Sequence, residues 1–187
     1  MVGNDIVDIS EAKHASNWQR PRFLEKLFTN EEQKCIQNAP NPFLKVWHLW
    51  SMKEAAYKLY TQLYPSKFYN PKGFACSMTK DFGIVKFKTF TCYVTTQITS
   101  DYIISEARLN SEYMTSKVIK FDNRNPQKQS ETIRKVLIEA GTDRFNISTE
   151  NMKILSSKHG VPSLQLPSKT VPLSITHHGY YGAFAIS

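Results

Sequence analysis

Met52, Ala55, Ala56, Leu59 and Leu63 recur at spacings of three and four, with no Gly or Pro between them. This spacing predicts a helix over residues 42–63 with one buried stripe. Ser51, Glu54 and Lys58 fall on a second stripe, with Glu54 and Lys58 one turn apart. Residues 2–9 pass from a turn-permissive Gly-Asn pair into β-branched residues and read as a short strand, with Asp5 and Val7 sharing a face. Residues 83–99, 102–109 and 115–121 are rich in Thr, Val, Ile, Phe and Tyr and also read as strands. Residues 64–82, with Pro65, Pro71 and Gly73, read as a loop.

Thr29 followed by Glu31 and Glu32 predicts a capped helix start. Asn125-Pro126 predicts another, with Ile133, Val136, Leu137 and Ala140 as its apolar face and Gly141 as its C-cap. Residues 151–166 read as a β-hairpin turning at Lys158-His159-Gly160, and residues 171–187 as strands flanking Thr176-His177-His178-Gly179. Helices and strands are segregated along the chain, which gives an α+β class. No internal repeat or low-complexity tract is visible in the sequence.

The length of 187 residues and 41% hydrophobic content are sufficient for one domain with one core. Cys35, Cys76 and Cys92 have neither zinc-ligand nor disulfide spacing and fit a reducing cytoplasm. The opening Met-Val-Gly-Asn-Asp lacks a basic, apolar leader, and no apolar run reaches the ~18 residues of a membrane span. Secretion and membrane insertion are therefore disfavoured. The formal charge of +8 favours anionic partners: nucleic acid, phosphorylated cofactors, acidic proteins or anionic surfaces.

Three groups could carry chemistry. Asp5 in an apolar strand needs a metal, a cation or hydrogen bonds, though such a residue can also merely cap a turn. Glu54 and Lys58 could hold a divalent cation and neutralise phosphates bound to it, or could form a surface ion pair of about 0.3–0.5 kcal/mol. His177 and His178 could bind phosphate or move a proton, or could hydrogen-bond for structural reasons; adjacent on a strand, they face opposite ways.

Taken in order, these pieces resemble the 4′-phosphopantetheinyl transferase superfamily, especially its holo-acyl-carrier-protein synthase branch. The matching elements are Gly3-Asn4-Asp5-Ile6-Val7-Asp8-Ile9, the segment Arg22 to Thr29 with Glu31-Glu32, and Trp50-Ser51-Met52-Lys53-Glu54-Ala55-Ala56-Tyr57-Lys58. Gly160-Val161-Pro162 and Leu173-Ser174-Ile175-Thr176-His177 follow, with Ala183 and Ala185 in the closing strand. Residues 66–125 have no clear counterpart in the short synthases and read as a β-rich insertion. The resemblance implies one domain over residues 1–187, an antiparallel sheet packed against a long central helix.

The activity implied is Mg²⁺-dependent transfer of 4′-phosphopantetheine from coenzyme A to a serine of an acyl- or peptidyl-carrier protein, releasing adenosine 3′,5′-bisphosphate. Asp5 and Glu54 match the metal ligands; Glu54, Lys58 and His177 match the catalytic groups. Lys53, Lys58, Ser174 and His177 are the expected coenzyme A contacts. Val7 stands where larger relatives carry a third acidic ligand, and no glycine-rich turn follows Lys58, so Lys67 and Lys72 become candidates for the adenosine end. Lys13, Arg20, Arg22 and Lys26 could attract an acidic carrier. The chain has no second Lys-Glu-Ala motif, so self-association, as in trimeric short synthases, is expected. The competing reading is a non-catalytic basic nucleic-acid-binding module stacking bases on aromatics in residues 84–121.

Overall fold

The computed structural model describes every residue except 67, 69, 80, 81, 111 and 112. The first strand, β1 (Val2–Asp8), is followed by α1 (Ile9–Ala15), α2 (Phe23–Leu27), α3 (Asn30–Gln37) and α4 (Pro42–Leu63). A 3₁₀ turn at Pro71–Gly73 leads into a meander of β2 (Ala75–Met78), β3 (Gly83–Phe87), β4 (Phe90–Ile98) and β5 (Tyr102–Arg108). The pattern then repeats. It runs through β6 (Thr115–Lys120), α5 (Pro126–Phe145), a 3₁₀ turn at Thr149–Asn151, and the meander β7 (Lys153–Ser156), β8 (Pro162–Gln165), β9 (Thr170–His178) and β10 (Tyr181–Ile186).

Local chemistry sets the boundaries. Asp8 caps α1 through its carboxylate, and Thr29 with Glu32 forms a reciprocal capping box on α3. Asn41 and Asn125 cap α4 and α5, each followed by a Pro whose missing N–H costs nothing there. The run read as one strand over 83–99 is a hairpin, broken at Lys88, which adopts φ 53°. The loop expected over 64–82 contains the half-exposed strand β2. Gly141 does not end α5: the helix runs on to Phe145 and closes at Asn146 with φ 52°. Gly141 is instead buried, where a Cβ would lie 3.1 Å from Met152 and 3.4 Å from Leu164.

Both five-stranded sheets are antiparallel, ordered β1-β5-β4-β3-β2 and β6-β10-β9-β8-β7. Each half is thus a strand, a helical segment and a four-strand meander whose last strand returns to pair with the first. A repeat absent from the residues is present in the topology. Two cores replace the single one expected from length. The first gathers α4 and the first sheet around Met52, Ala55, Leu59, Val85 and Ile103. The second gathers α5 and the second sheet around Ile133, Leu137, Leu164 and Phe184. Residues 66–125, expected as an insertion, supply β2–β5 of the first sheet and β6 of the second.

The halves meet where β1, the edge of its sheet, lies against β9 and β10. Ile6, Ile104, Tyr181 and Ala183 form a small apolar cluster there. Amides of β1 are received by side chains of β9: Asn4 N–H donates to Ser174 Oγ (3.0 Å), Ile6 N–H to Thr176 Oγ1 (3.3 Å) and Asp8 N–H to His178 Nδ1 (3.0 Å). At the start of β1, Gln62 bonds both the N–H and the C=O of Val2. Side chains therefore do the work that a neighbouring strand would do for a buried edge. Among the described residues, no helix is long and apolar enough to cross a membrane.

Candidate active site

Gly3, Asp5 and Val7 share one face of β1. Gly3 lets helix α4 come close, since a Cβ at that position would lie 2.0 Å from the Ala55 carbonyl oxygen and 2.7 Å from the Leu59 nitrogen. That approach brings Lys58 of α4 to β1. Its ammonium donates to Asp5 Oδ1 (3.0 Å) and to the Asn4 carbonyl (2.9 Å). Thr176 of β9 donates to the same Asp5 Oδ1 (3.0 Å). The carboxylate of Asp5 is thereby held from both halves of the chain.

Glu54 lies one helical turn before Lys58. Burial, reinforced by the negative charge of Asp5 and offset by Lys58, pushes its carboxyl up to about 7. Asp5 is thus close enough to oppose the ionisation of Glu54. Glu54, Tyr57 and Trp50 line a cavity of about 220 Å³. Tyr57 also borders a second cavity of about 180 Å³, lined by Lys58, Gly160, Pro162 and Ser174. Trp50 borders a third of about 530 Å³, lined by Arg20, Lys26, Trp47 and His178. Each of these concavities is bordered by side chains of α4, and Glu54 lines the first.

The structure brings Asp5, Glu54 and Lys58 together, with Lys53 and Ser174 on the bordering cavities. Lys53 borders the Glu54 cavity, but its ammonium is buried on Glu32 (2.9 and 2.8 Å) and the Phe74 carbonyl (2.6 Å). Contact with coenzyme A would require that ion pair to break. Ser174 is buried, its hydroxyl receiving the Asn4 amide. His177 is exposed on the opposite face of β9 from Thr176 and makes no hydrogen bond to Asp5, Glu54 or Lys58. Lys72 donates to the Glu25 carbonyl (3.0 Å), and Lys67 lies outside the described residues. Asp8 points away from Asp5, as strand alternation requires, and accepts the Glu11 and Tyr180 amides.

Three residues not singled out from sequence shape the site. Thr176 orients Asp5, and the Asn4 carbonyl holds Lys58. Glu32 ties α3, α4 and β2 together by accepting from Thr29 N–H, Lys53 and Cys76 N–H. In the sequence, Thr176 lies within the Ser174-Ile175-Thr176-His177 element, and polar residues recur at alternate positions 174, 176 and 178.

A family model for the 4′-phosphopantetheinyl transferase superfamily matches residues 1–105, more than half of the chain and all of the elements that carry Asp5, Glu54 and Lys58. The chain belongs to the 4′-phosphopantetheinyl transferase superfamily. No curated protein matches it. The matched span ends before β9, so Thr176 and the hydroxyl ladder lie outside it. Superfamily enzymes generally use Mg²⁺, and the donor set here suits that ion: two carboxylates, all oxygen ligands. Among the described residues, no group of three or more His, Cys, Asp or Glu could hold a metal. Two carboxylates completed by substrate phosphate and water is the ligation magnesium usually adopts.

Proposed function

We propose that this superfamily member transfers 4′-phosphopantetheine from coenzyme A to a serine of an acidic acyl- or peptidyl-carrier protein, with Mg²⁺ at Asp5 and Glu54. The observation that carries this reading is the meeting of Asp5, Glu54 and Lys58 at one point between β1 and α4. The serine hydroxyl attacks the β-phosphate of coenzyme A, a serine O–P bond forms, the phosphoanhydride bond breaks, and adenosine 3′,5′-bisphosphate departs. Bound magnesium would neutralise charge that builds on the diphosphate oxygens. Glu54, or a water beside it, takes up the serine proton. Lys58 supplies a cation to the diphosphate, and His177, exposed on β9, meets coenzyme A phosphates from the solvent side.

The carrier docks where Lys13, Arg20, Arg22 and Lys26 are all exposed, beside the 530 Å³ cavity. Both halves of one chain contribute to the site, because β9 of the second half reaches Asp5 in the first.

Incubation with coenzyme A, Mg²⁺ and an apo-carrier is expected to add one phosphopantetheine to the carrier mass. Glu54→Gln keeps the side-chain volume and removes the carboxylate; its fold is expected to survive and its turnover to vanish. Absence of mass gain across a panel of acyl and peptidyl carriers would reject the reading.

A further inference from the structure

Lys58 sits on the very carboxylate that the proposed function gives to a divalent cation. Its ammonium is 3.0 Å from Asp5 Oδ1, and the same oxygen accepts the Thr176 hydroxyl at 3.0 Å. Two donors on one oxygen leave that atom little capacity for a further ligand. The carbonyl of Asn4 holds the same ammonium at 2.9 Å, so Lys58 has an anchor that does not depend on Asp5. The side chain is 29% exposed, against 13% for Asp5, so its tip can move into the bordering cavity without unfolding anything. A lysine stem has four rotatable carbons and a compact charge, which suits it to changing partners.

We propose that Lys58 is an internal counter-ion for Asp5: it occupies the carboxylate while no divalent cation is bound, and its ammonium leaves Asp5 when one arrives. A monovalent and a divalent cation on one carboxylate repel each other, and only the lysine is tethered to a flexible chain. The displaced ammonium then points into the cavity it already lines with Gly160 and Pro162, where an anion can receive it. Cation binding and readiness for a phosphate become one event. This inference rests on the metal role given to Asp5 and Glu54 above.

Binding of Mn²⁺ without coenzyme A, followed by electron paramagnetic resonance, separates the two claims. Lys58→Met removes the competing ammonium and keeps the stem. It is expected to bind Mn²⁺ about 1.4- to fivefold more tightly than the unmodified chain, the range set by exposed ion-pair strengths. Lys58→Arg, still charged, is expected not to tighten. In the unmodified chain, the ¹⁵Nζ resonance of Lys58 is expected to shift on adding Mg²⁺, and not in Asp5→Asn. Equal or weaker Mn²⁺ binding by Lys58→Met, with Asp5-dependent binding intact in the unmodified chain, would overturn the exchange alone. Mn²⁺ binding that is absent, or indifferent to Asp5→Asn, would overturn the metal reading beneath it.

Discussion

Thr176→Val tests how the two halves are joined and how Asp5 is held. Valine matches threonine in shape, so the change deletes a hydroxyl without opening a cavity. That hydroxyl makes two bonds: it accepts the Ile6 amide at 3.3 Å and donates to Asp5 Oδ1 at 3.0 Å. Thr176 is 5% exposed and Ile6 2%, so water cannot replace the lost partner. An orphaned buried amide costs about 1–3 kcal/mol, and a hydrogen bond to a charged group contributes about 1.5–3 kcal/mol. The two share one atom and do not simply add, which sets the expected loss at about 2–4 kcal/mol. With a urea slope of about 2 kcal/mol/M, the unfolding midpoint falls by roughly 1–2 M. Thr176→Ser keeps the hydroxyl and is expected to lose about 1 kcal/mol or less, for one methyl group. Equal midpoints for the unmodified chain and Thr176→Val would refute the stitching of β1 to β9 through side chains.

Two further outcomes follow from the geometry around α4. Gly3→Ala drives a Cβ to 2.0 Å from the Ala55 carbonyl, a backbone atom that cannot swing aside; a loss of about 3 kcal/mol or more is expected in thermal unfolding. His48 is held at about 4 by burial and, secondarily, by Lys45, whereas the unfolded chain titrates near 6.5. Between those values the unfolded state binds a proton that the folded state refuses. The contribution is complete above pH 6.5 and is lost as pH falls towards 4, up to about 3 kcal/mol. Glu54, raised to about 7, produces the opposite slope, since the folded state binds the extra proton from pH 4.5 to 7. Subtracting the pH profile of a His48→Gln variant therefore isolates the His48 term, and an unchanged profile would exclude it.

Elements governed by local chemistry were legible in the sequence, and those set by pairing were not. Helix α4 occupies the residues its periodicity indicated, because apolar positions run without a breaker from cap to end. Thr29 and Asn125 cap helices because their oxygens reach amides only a few residues ahead. Gly141 misled because a glycine late in a helix reads as a stop, while its use here is close packing against Met152, a contact made across the chain. Strand β2 is short, half exposed and preceded by Pro71 and Gly73, so nothing local marks it. Lys53 looked like a ligand contact from its motif; its partner Glu32 is 21 residues away and already serves a visible role as a cap. Asp5, Glu54 and Lys58 were readable as chemical candidates, but their meeting depends on Gly3 admitting α4, which no pattern of polarity states.

The duplicated topology explains why one chain carries one such cluster. In the second half the counterpart of β1 is β6, Thr-Ser-Lys-Val-Ile-Lys, with no carboxylate. The acidic residues of α5, Glu131, Glu139 and Asp143, all face solvent. The first half therefore supplies the charges, and the second supplies hydroxyls and an imidazole from β9 that fix the strand bearing Asp5. Repeating the chemistry would gain nothing, because a carboxylate on β9 in place of Ser174 or Thr176 would remove the acceptor that a β1 amide needs and set a like charge beside Asp5. The asymmetry in sequence between the halves is what their shared topology requires if they are to build a single site where they touch.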